Sequence, residues 1–195
     1  MVSTASPVMH QRLFVRSTFA ISLAACTWFA CAPAFAVDLG PWARCFIDAA
    51  KTYGQDPLLY FSIAQVESSG CKNLVHRNTD GTHDIGCMQI NSSAIPFLQK
   101  YGITEDRLLM DPCLNIHVGA WILQTKVRRF GPTWEAVGAY NAACSKLKGP
   151  DCFAARMKYI HKVAAAYSAR MEKAGPLADQ AEPPPASPQL RMSGD

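Results

Sequence analysis

A carboxylate at the end of an apolar helix is the first residue in this sequence able to do chemistry. Residues 57–69 predict a helix with Leu59, Ile63 and Val66 as its core stripe, and Glu67 falls in its last turn. The negative end of the helix dipole opposes a charge there, and apolar neighbours remove its solvation. Both effects raise the pKa, and a carboxylic acid still protonated near neutral pH is what a general acid requires. Asp84 follows seventeen residues later in an irregular stretch. It reads either as a second carboxylate that stabilises a developing cation or orients a water, or as a turn residue bonding its own backbone ahead of Gly86. Cys71, His76, His83 and Cys87 are ligand types for a Cys₂His₂ zinc site, although their spacing matches no common finger.

Three short motifs set Glu67 in context. Val66-Glu67-Ser68-Ser69-Gly70 is followed by Gly86-Cys87-Met88-Gln89-Ile90-Asn91, and then by Ala139-Tyr140-Asn141. In that order they resemble the signature of the soluble, goose-lysozyme-like lytic transglycosylases: Glu-Ser, Gly-x-Met-Gln, Ala-Tyr-Asn. Asn78-x-Asp80-Gly81-x-x-Asp84-Ile85-Gly86, Asp111-Pro112-Cys113-x-Asn115-Ile116 and Gly119-Ala120-Trp121-Ile122-Leu123 are similar to the small branch that accompanies secretion systems, conjugation machines and pili. The resemblance runs from about Trp42 to Tyr167.

The resemblance implies a peptidoglycan glycan strand as substrate, cut between N-acetylmuramic acid and N-acetylglucosamine. Glu67 would protonate the bridging oxygen, and its carboxylate would then take the proton of the muramic acid 6-hydroxyl. That hydroxyl closes a 1,6-anhydro ring with no water consumed. The substrate's acetamido group would stabilise the cation, so the usual second carboxylate is not required. The family pattern implies that the Tyr140 hydroxyl bonds the catalytic Glu. It implies that Ser68, Gly86, Met88 and Gln89 meet the sugar and that Asn141 is a buried polar support of the substrate site. Plain core packing is the competing reading for Met88, as is a core ring for Tyr140.

The elements that must position these groups are mostly helical. Residues 41–53 carry an i, i+3, i+4 pattern through Trp42, Cys45, Phe46, Ala49, Ala50 and Tyr53. Asp56 and Pro57 start the Glu67 helix. Residues 71–91 lose the helical period and gather turn formers, predicting a hairpin or Ω-like loop tightest at Asp80-Gly81. Helices resume near Ser93–Lys100, from Pro112 to Arg129, after Thr133 to about Asn141, and from Asp151 onward with Phe153, Met157, Ile160, Ala164 and Tyr167 inward. The expected fold is mainly α, of the α+β lysozyme-like kind. It is a single helical domain with a short irregular or β-hairpin segment forming the cleft.

The chain ends are expected to lie outside that domain. Residues 1–36 hold Arg12 and Arg16, an uncharged run from Ser17, and Ala34-Phe35-Ala36, the three parts of a secretory signal peptide. A membrane anchor fits less well, because Pro33 and the cleavage signal end the run and no basic stop-transfer cluster follows. Cleavage near Ala36 would leave a periplasmic or secreted protein. Leu23-Ala24-Ala25-Cys26 resembles a lipobox, and a lipid anchor at Cys26 is the minor alternative. The domain spans 37–173, and the tail 174–195, with five prolines, reads as disordered.

Of eight cysteines, cleavage removes Cys26 and Cys31 and leaves six, an even set suited to an oxidising compartment. Six allow fifteen connectivities. Cys144 and Cys152 flank a short Lys- and Gly-Pro-containing segment and predict a local loop closure. Counterparts of Cys45 and Cys113 occur in the secretion-associated branch, which implies that they pair. Cys71 and Cys87 stand where the family usually has larger apolar residues, which suggests that they pair too.

With 49% hydrophobic and 17% charged residues the chain is neither disordered nor collagen-like. A net charge of +4 is too small and dispersed to indicate nucleic acid. The expected protein is a monomeric lytic transglycosylase without cofactor or metal. Its partners would be peptidoglycan strands and proteins of a secretion, conjugation or pilus apparatus. The alternatives are a hydrolytic lysozyme using Glu67 and Asp84, and a zinc-stapled, non-catalytic peptidoglycan-binding module.

Overall fold

The computed structural model describes residues 37–144 and 147–174. The expected signal peptide, Cys26 and the Pro-rich tail beyond Ala174 lie outside the described residues. Seven α-helices and a small antiparallel sheet make up the described part. The mainly α, lysozyme-like architecture is the one expected.

Helix α1 (Ala43–Tyr53) buries Cys45, Phe46 and Ala49. Helix α2 (Pro57–Ser68) starts where Asp56 accepts the Leu58 N–H at 2.8 Å, with Pro57 pre-set in helical φ. The pattern predicted one buried stripe on α2, but every residue from Leu58 to Ala64 is buried. A helix that is apolar nearly all round belongs in the centre of a domain. Here α1 packs against one side of α2 and α7 (Gly149–Lys173) against another. Expected inward, Phe153 on α7 is instead exposed, while Tyr159, Ile160 and Val163 are buried.

The irregular stretch is the predicted hairpin with one further strand. β1 (Val75–Arg77) pairs antiparallel with β2 (His83–Ile85), and β2 with β3 (Ile90–Asn91). In the connecting turn the Asn78 N–H reaches the Thr82 carbonyl at 2.8 Å, and Gly81 takes φ +87°. That left-handed conformation favours glycine.

After β3 the expected continuous helix is broken into 3₁₀ turns on either side of α3 (Ile95–Leu98). A further short helix, α4 (Glu105–Met110), is capped by Thr104. α5 (Pro112–Phe130) begins at Asp111, whose carboxylate accepts the Leu114 N–H at 3.0 Å. α6 (Trp134–Asn141) packs between α5 and α7. α7 begins two residues before Asp151, with Pro150 in its first turn.

Three disulfides cross-link these parts. Cys45–Cys113 ties α1 to the start of α5, Cys71–Cys87 ties the end of α2 to the strip before β3, and Cys144–Cys152 closes the α6–α7 connection. The Cys71–Cys87 bond consumes both thiols of the zinc alternative. Its His83 instead pairs through Nε2 with Glu105 Oε1 at 2.5 Å, and His76 is exposed. No helix among the described residues is long and apolar enough to cross a membrane.

Candidate active site

Glu67 lies in the last turn of α2 and lines a cleft of about 820 Å³. That volume lies in the range of small-ligand sites. Tyr159 of α7, itself buried, donates its hydroxyl to Glu67 Oε1 at 2.5 Å. Burial lifts the Glu67 pKa from 4.5 to about 7. The Tyr159 hydrogen bond works against that rise by favouring the charged form. The nearby Asp84 charge adds to it, and Lys162 opposes it weakly. The acid expected from helix end and apolar surroundings is therefore present, with desolvation as its main cause. Burial also raises the pKa of Tyr159 well above 10.0, so it keeps the proton it donates.

The Gly86–Asn91 strip forms the facing wall and is held from four directions. Ser68 Oγ donates to the Cys87 carbonyl at 2.7 Å. Asn115 of α5, fully buried, accepts the Met88 N–H at 2.7 Å through Oδ1. Its amide nitrogen donates to the Ile85 carbonyl at 2.9 Å and the Leu108 carbonyl at 3.0 Å. Tyr140 of α6 donates its hydroxyl to the Met88 carbonyl at 2.8 Å. The fourth hold is the Cys71–Cys87 disulfide. Gly86 has φ +71°, and a Cβ there would stand 2.5 Å from Asn115 Nδ2. The strip can lie this close to α5 only with glycine at that position. Gln89 turns its amide back to the Gly86 carbonyl at 2.7 Å while lining the cleft.

Asp84 also lines the cleft. Its carboxylate does not bond its own backbone turn, as one reading expected, but sits on β2 opposite Asn91. Asn78 Nδ2 donates to Oδ2 at 3.0 Å and Asn91 Nδ2 to Oδ1 at 2.8 Å. The two amide donors fix both oxygens in place.

Of the residues singled out from sequence, Glu67, Asp84, Gln89, Tyr140 and Asn141 meet at the cleft. Ser68, Gly86 and Met88 stand behind it. Ser68 is buried and braces the strip, and the Met88 side chain is fully buried against Gly119 of α5. The Met88 side chain thus packs in the core. Asn141 is exposed on the cleft rim rather than buried. The hydroxyl on Glu67 belongs to Tyr159, where the family pattern implied Tyr140. No motif marked Tyr159, and its only sequence signal was an aromatic beside Ile160 on the inward face of α7. Asn115 stood inside a quoted motif without a role.

Donating a proton to a glycosidic oxygen is the chemistry that such an acid, buried beside an open cleft, is suited to perform. With its lysozyme-like body the protein is thereby of the glycan-cleaving class. Residues 44–150 match the family model described as the Transglycosylase SLT domain. The chain belongs to that family and is a peptidoglycan lytic transglycosylase.

Among its relatives, invasion protein IagB of Salmonella typhimurium is 42% identical over 122 residues, covering 63% of this chain and 74% of that protein. Protein IpgF of Shigella flexneri is 36% identical over 121 residues, covering 62% of this chain and 77% of that protein. A peptidoglycan-binding-like protein of Escherichia coli O157:H7 is 37% identical over 133 residues, covering 65% and 77%. Among solved structures, an inactive mutant of the lytic transglycosylase Slt of Pseudomonas aeruginosa superposes with a TM-score of 0.51 at 21% identity. That match covers 68% of this chain and 24% of the larger one, and it supports the fold.

Proposed function

We propose that the protein cleaves the glycan between N-acetylmuramic acid and N-acetylglucosamine and leaves a 1,6-anhydro end. Protonated Glu67 gives its proton to the bridging oxygen, and the C–O bond to the leaving sugar breaks. Positive charge develops on the muramic acid ring. The Glu67 carboxylate then takes the proton of the 6-hydroxyl as that oxygen bonds the anomeric carbon. The acid is restored and no water is consumed. Tyr159 holds Glu67 Oε1, so Oε2 is the oxygen turned to substrate. Tyr140 acts through the strip, by fixing the Met88 carbonyl. Asn141 offers its amide to sugar substituents on the cleft wall, and Gln89, its Nε2 held by the Gly86 and Leu74 carbonyls, offers its amide oxygen.

The observation that carries this reading is a single carboxylic acid held near pKa 7 by burial beside the cleft. A folded Glu67→Gln protein should lose cleavage of purified peptidoglycan sacculi by at least about 10²- to 10⁴-fold. Retained turnover would contradict the assignment.

Asp84 supports a second reading. Two asparagines hold its carboxylate in the cleft, where its charge is felt at Glu67. Such a group stabilises a cation and can also orient a water, which would add hydrolysis and reducing ends to the product.

We further infer export across the inner membrane and service to a wall-crossing machine. The signal-like residues 1–36 and the cysteine pairing support export. Similarity to an invasion protein supports the second point. Loss of periplasmic protein on deletion of residues 2–36 would test export.

A further inference from the structure

Two exposed aromatic rings and the tryptophan beneath them follow cleft-lining residues in the chain and belong to none of the machinery above. The Phe97 ring stacks on Trp121 with centroids 5.4 Å apart and planes within 4°. Tyr101, one turn further, tilts against Phe97 at 5.3 Å. Phe97 is 42% exposed and Tyr101 66% exposed, while Trp121 is anchored against the core. Lys100 places its ammonium 5.9 Å from the Phe97 centroid.

The shelf continues the cleft wall. Ala94 lines the cleft, and Phe97 is three residues on. Thr125 lines the cleft, and Trp121 is one helical turn back on the same face of α5. The two walls that converge at this end of the cleft therefore run out into the stacked Phe97–Trp121 pair.

We propose that Phe97 and Tyr101 form an outer saccharide subsite, on which a sugar of the same glycan strand stacks after leaving the cleft. The proposal rests on the glycan-cleaving reading and adds to it a grip on strand length. A pyranose presents an apolar C–H face and a rim of hydroxyl groups. The shelf presents exposed aromatic ring surface with Lys100 and Gln99 exposed at its margin. Size separates this occupant from a protein partner. The two exposed rings offer roughly 200 Å² of free surface, taking an aromatic side chain at about 200 Å². That matches the face of one sugar and falls far below the ~800 Å² per partner of a stable protein interface.

Glycan strands freed of peptides and fractionated into tetrasaccharides and chains of eight or more sugars test the proposal. Cleavage is measured with wild-type, Phe97→Ala and Tyr101→Ala proteins. Affinity is measured with the same changes added to Glu67→Gln, which removes turnover. Tyr101→Ala guards against misfolding, because that side chain is 66% exposed and meets the Phe97 ring at the surface. Expected are an about tenfold rise in KM and Kd for long chains, unchanged kcat, unchanged tetrasaccharide kinetics, and recovery with Phe97→Trp. Equal affinity of variant and parent for long chains would overturn the subsite. So would equal losses on long and short chains, which would mean a disturbance of the cleft through Trp121. Failure of the wild type to cleave either length would instead remove the glycan-cleaving reading, with the affinity measurements still deciding whether the shelf binds.

Discussion

The Tyr159 hydroxyl donates to Glu67 Oε1 across 92 positions of sequence, joining the two helices that enclose the acid. The bond leaves one carboxyl oxygen for substrate and favours the ionised form, while burial pushes harder the other way. Without the hydroxyl the acid loses an influence that lowers its pKa. Tyr159→Phe should therefore move the basic limb of the pH–kcat/KM profile upward from about 7 and lower kcat through a less fixed carboxyl. An unmoved or lowered limb in a folded variant would show that the hydroxyl does not act on Glu67.

Asp84 bears on the same limb with opposite sign. Its charge raises the Glu67 pKa, so Asp84→Asn should shift the loss of activity to lower pH. The acid form of Glu67 is the active one, and activity falls as pH rises through its pKa. Product analysis of this variant separates the two roles of Asp84. A drop in any reducing ends relative to anhydro ends marks a water-orienting carboxylate. Loss of melting temperature at unchanged specific activity and unchanged pH profile would leave Asp84 a structural residue only.

Much of this arrangement was legible in the residues themselves. Asp56-Pro57 announced the start of α2, and the turn formers around Asp80-Gly81 announced the hairpin. The position of Glu67 in an apolar last turn foretold its raised pKa. What stayed hidden depends on which way a side chain points once helices pack. Ser68 and Met88 both belong to the sequence motifs, yet one faces the Cys87 carbonyl and the other Gly119, because the Gly86–Asn91 strip is pressed against α2 and α5. Tyr159 reaches Glu67 because α7 lies on α2, a long-range contact that local periodicity does not encode. The same period placed Phe153 inward, but the described helix leaves it at the exposed start of α7.

A buried acid destabilises the fold wherever it must ionise. The folded state holds the Glu67 proton up to about pH 7, whereas the unfolded chain releases it near 4.5. Stability from this group is greatest below pH 4.5 and declines as pH rises toward 7, by about 3 kcal/mol in all. Glu67→Gln should therefore raise the melting temperature at pH 8 and change it little at pH 4. Thermal unfolding at the two pH values checks this, and an equal effect at both would contradict a raised pKa.

The Cys71–Cys87 bond fastens the strip to the end of α2, next to Glu67. Replacing both cysteines by Ala removes a local loop closure worth up to about 3 kcal/mol in the unfolded-state account. The helical core keeps its own packing. Cleavage rate should fall more steeply than global stability, since catalytic geometry tolerates only about an ångström of error. Parallel urea titration and turnover measurements compare the two losses, and a large stability loss with normal specific activity in the folded fraction would contradict the role.

Mass spectrometry of the products from purified sacculi tests the central claim most directly. With Glu67 as both acid and base, wild-type digests should consist mainly of muropeptides ending in 1,6-anhydromuramic acid, and folded Glu67→Gln protein should release almost none. Dominant reducing muramic acid ends, or undiminished release by the Gln variant, would contradict it.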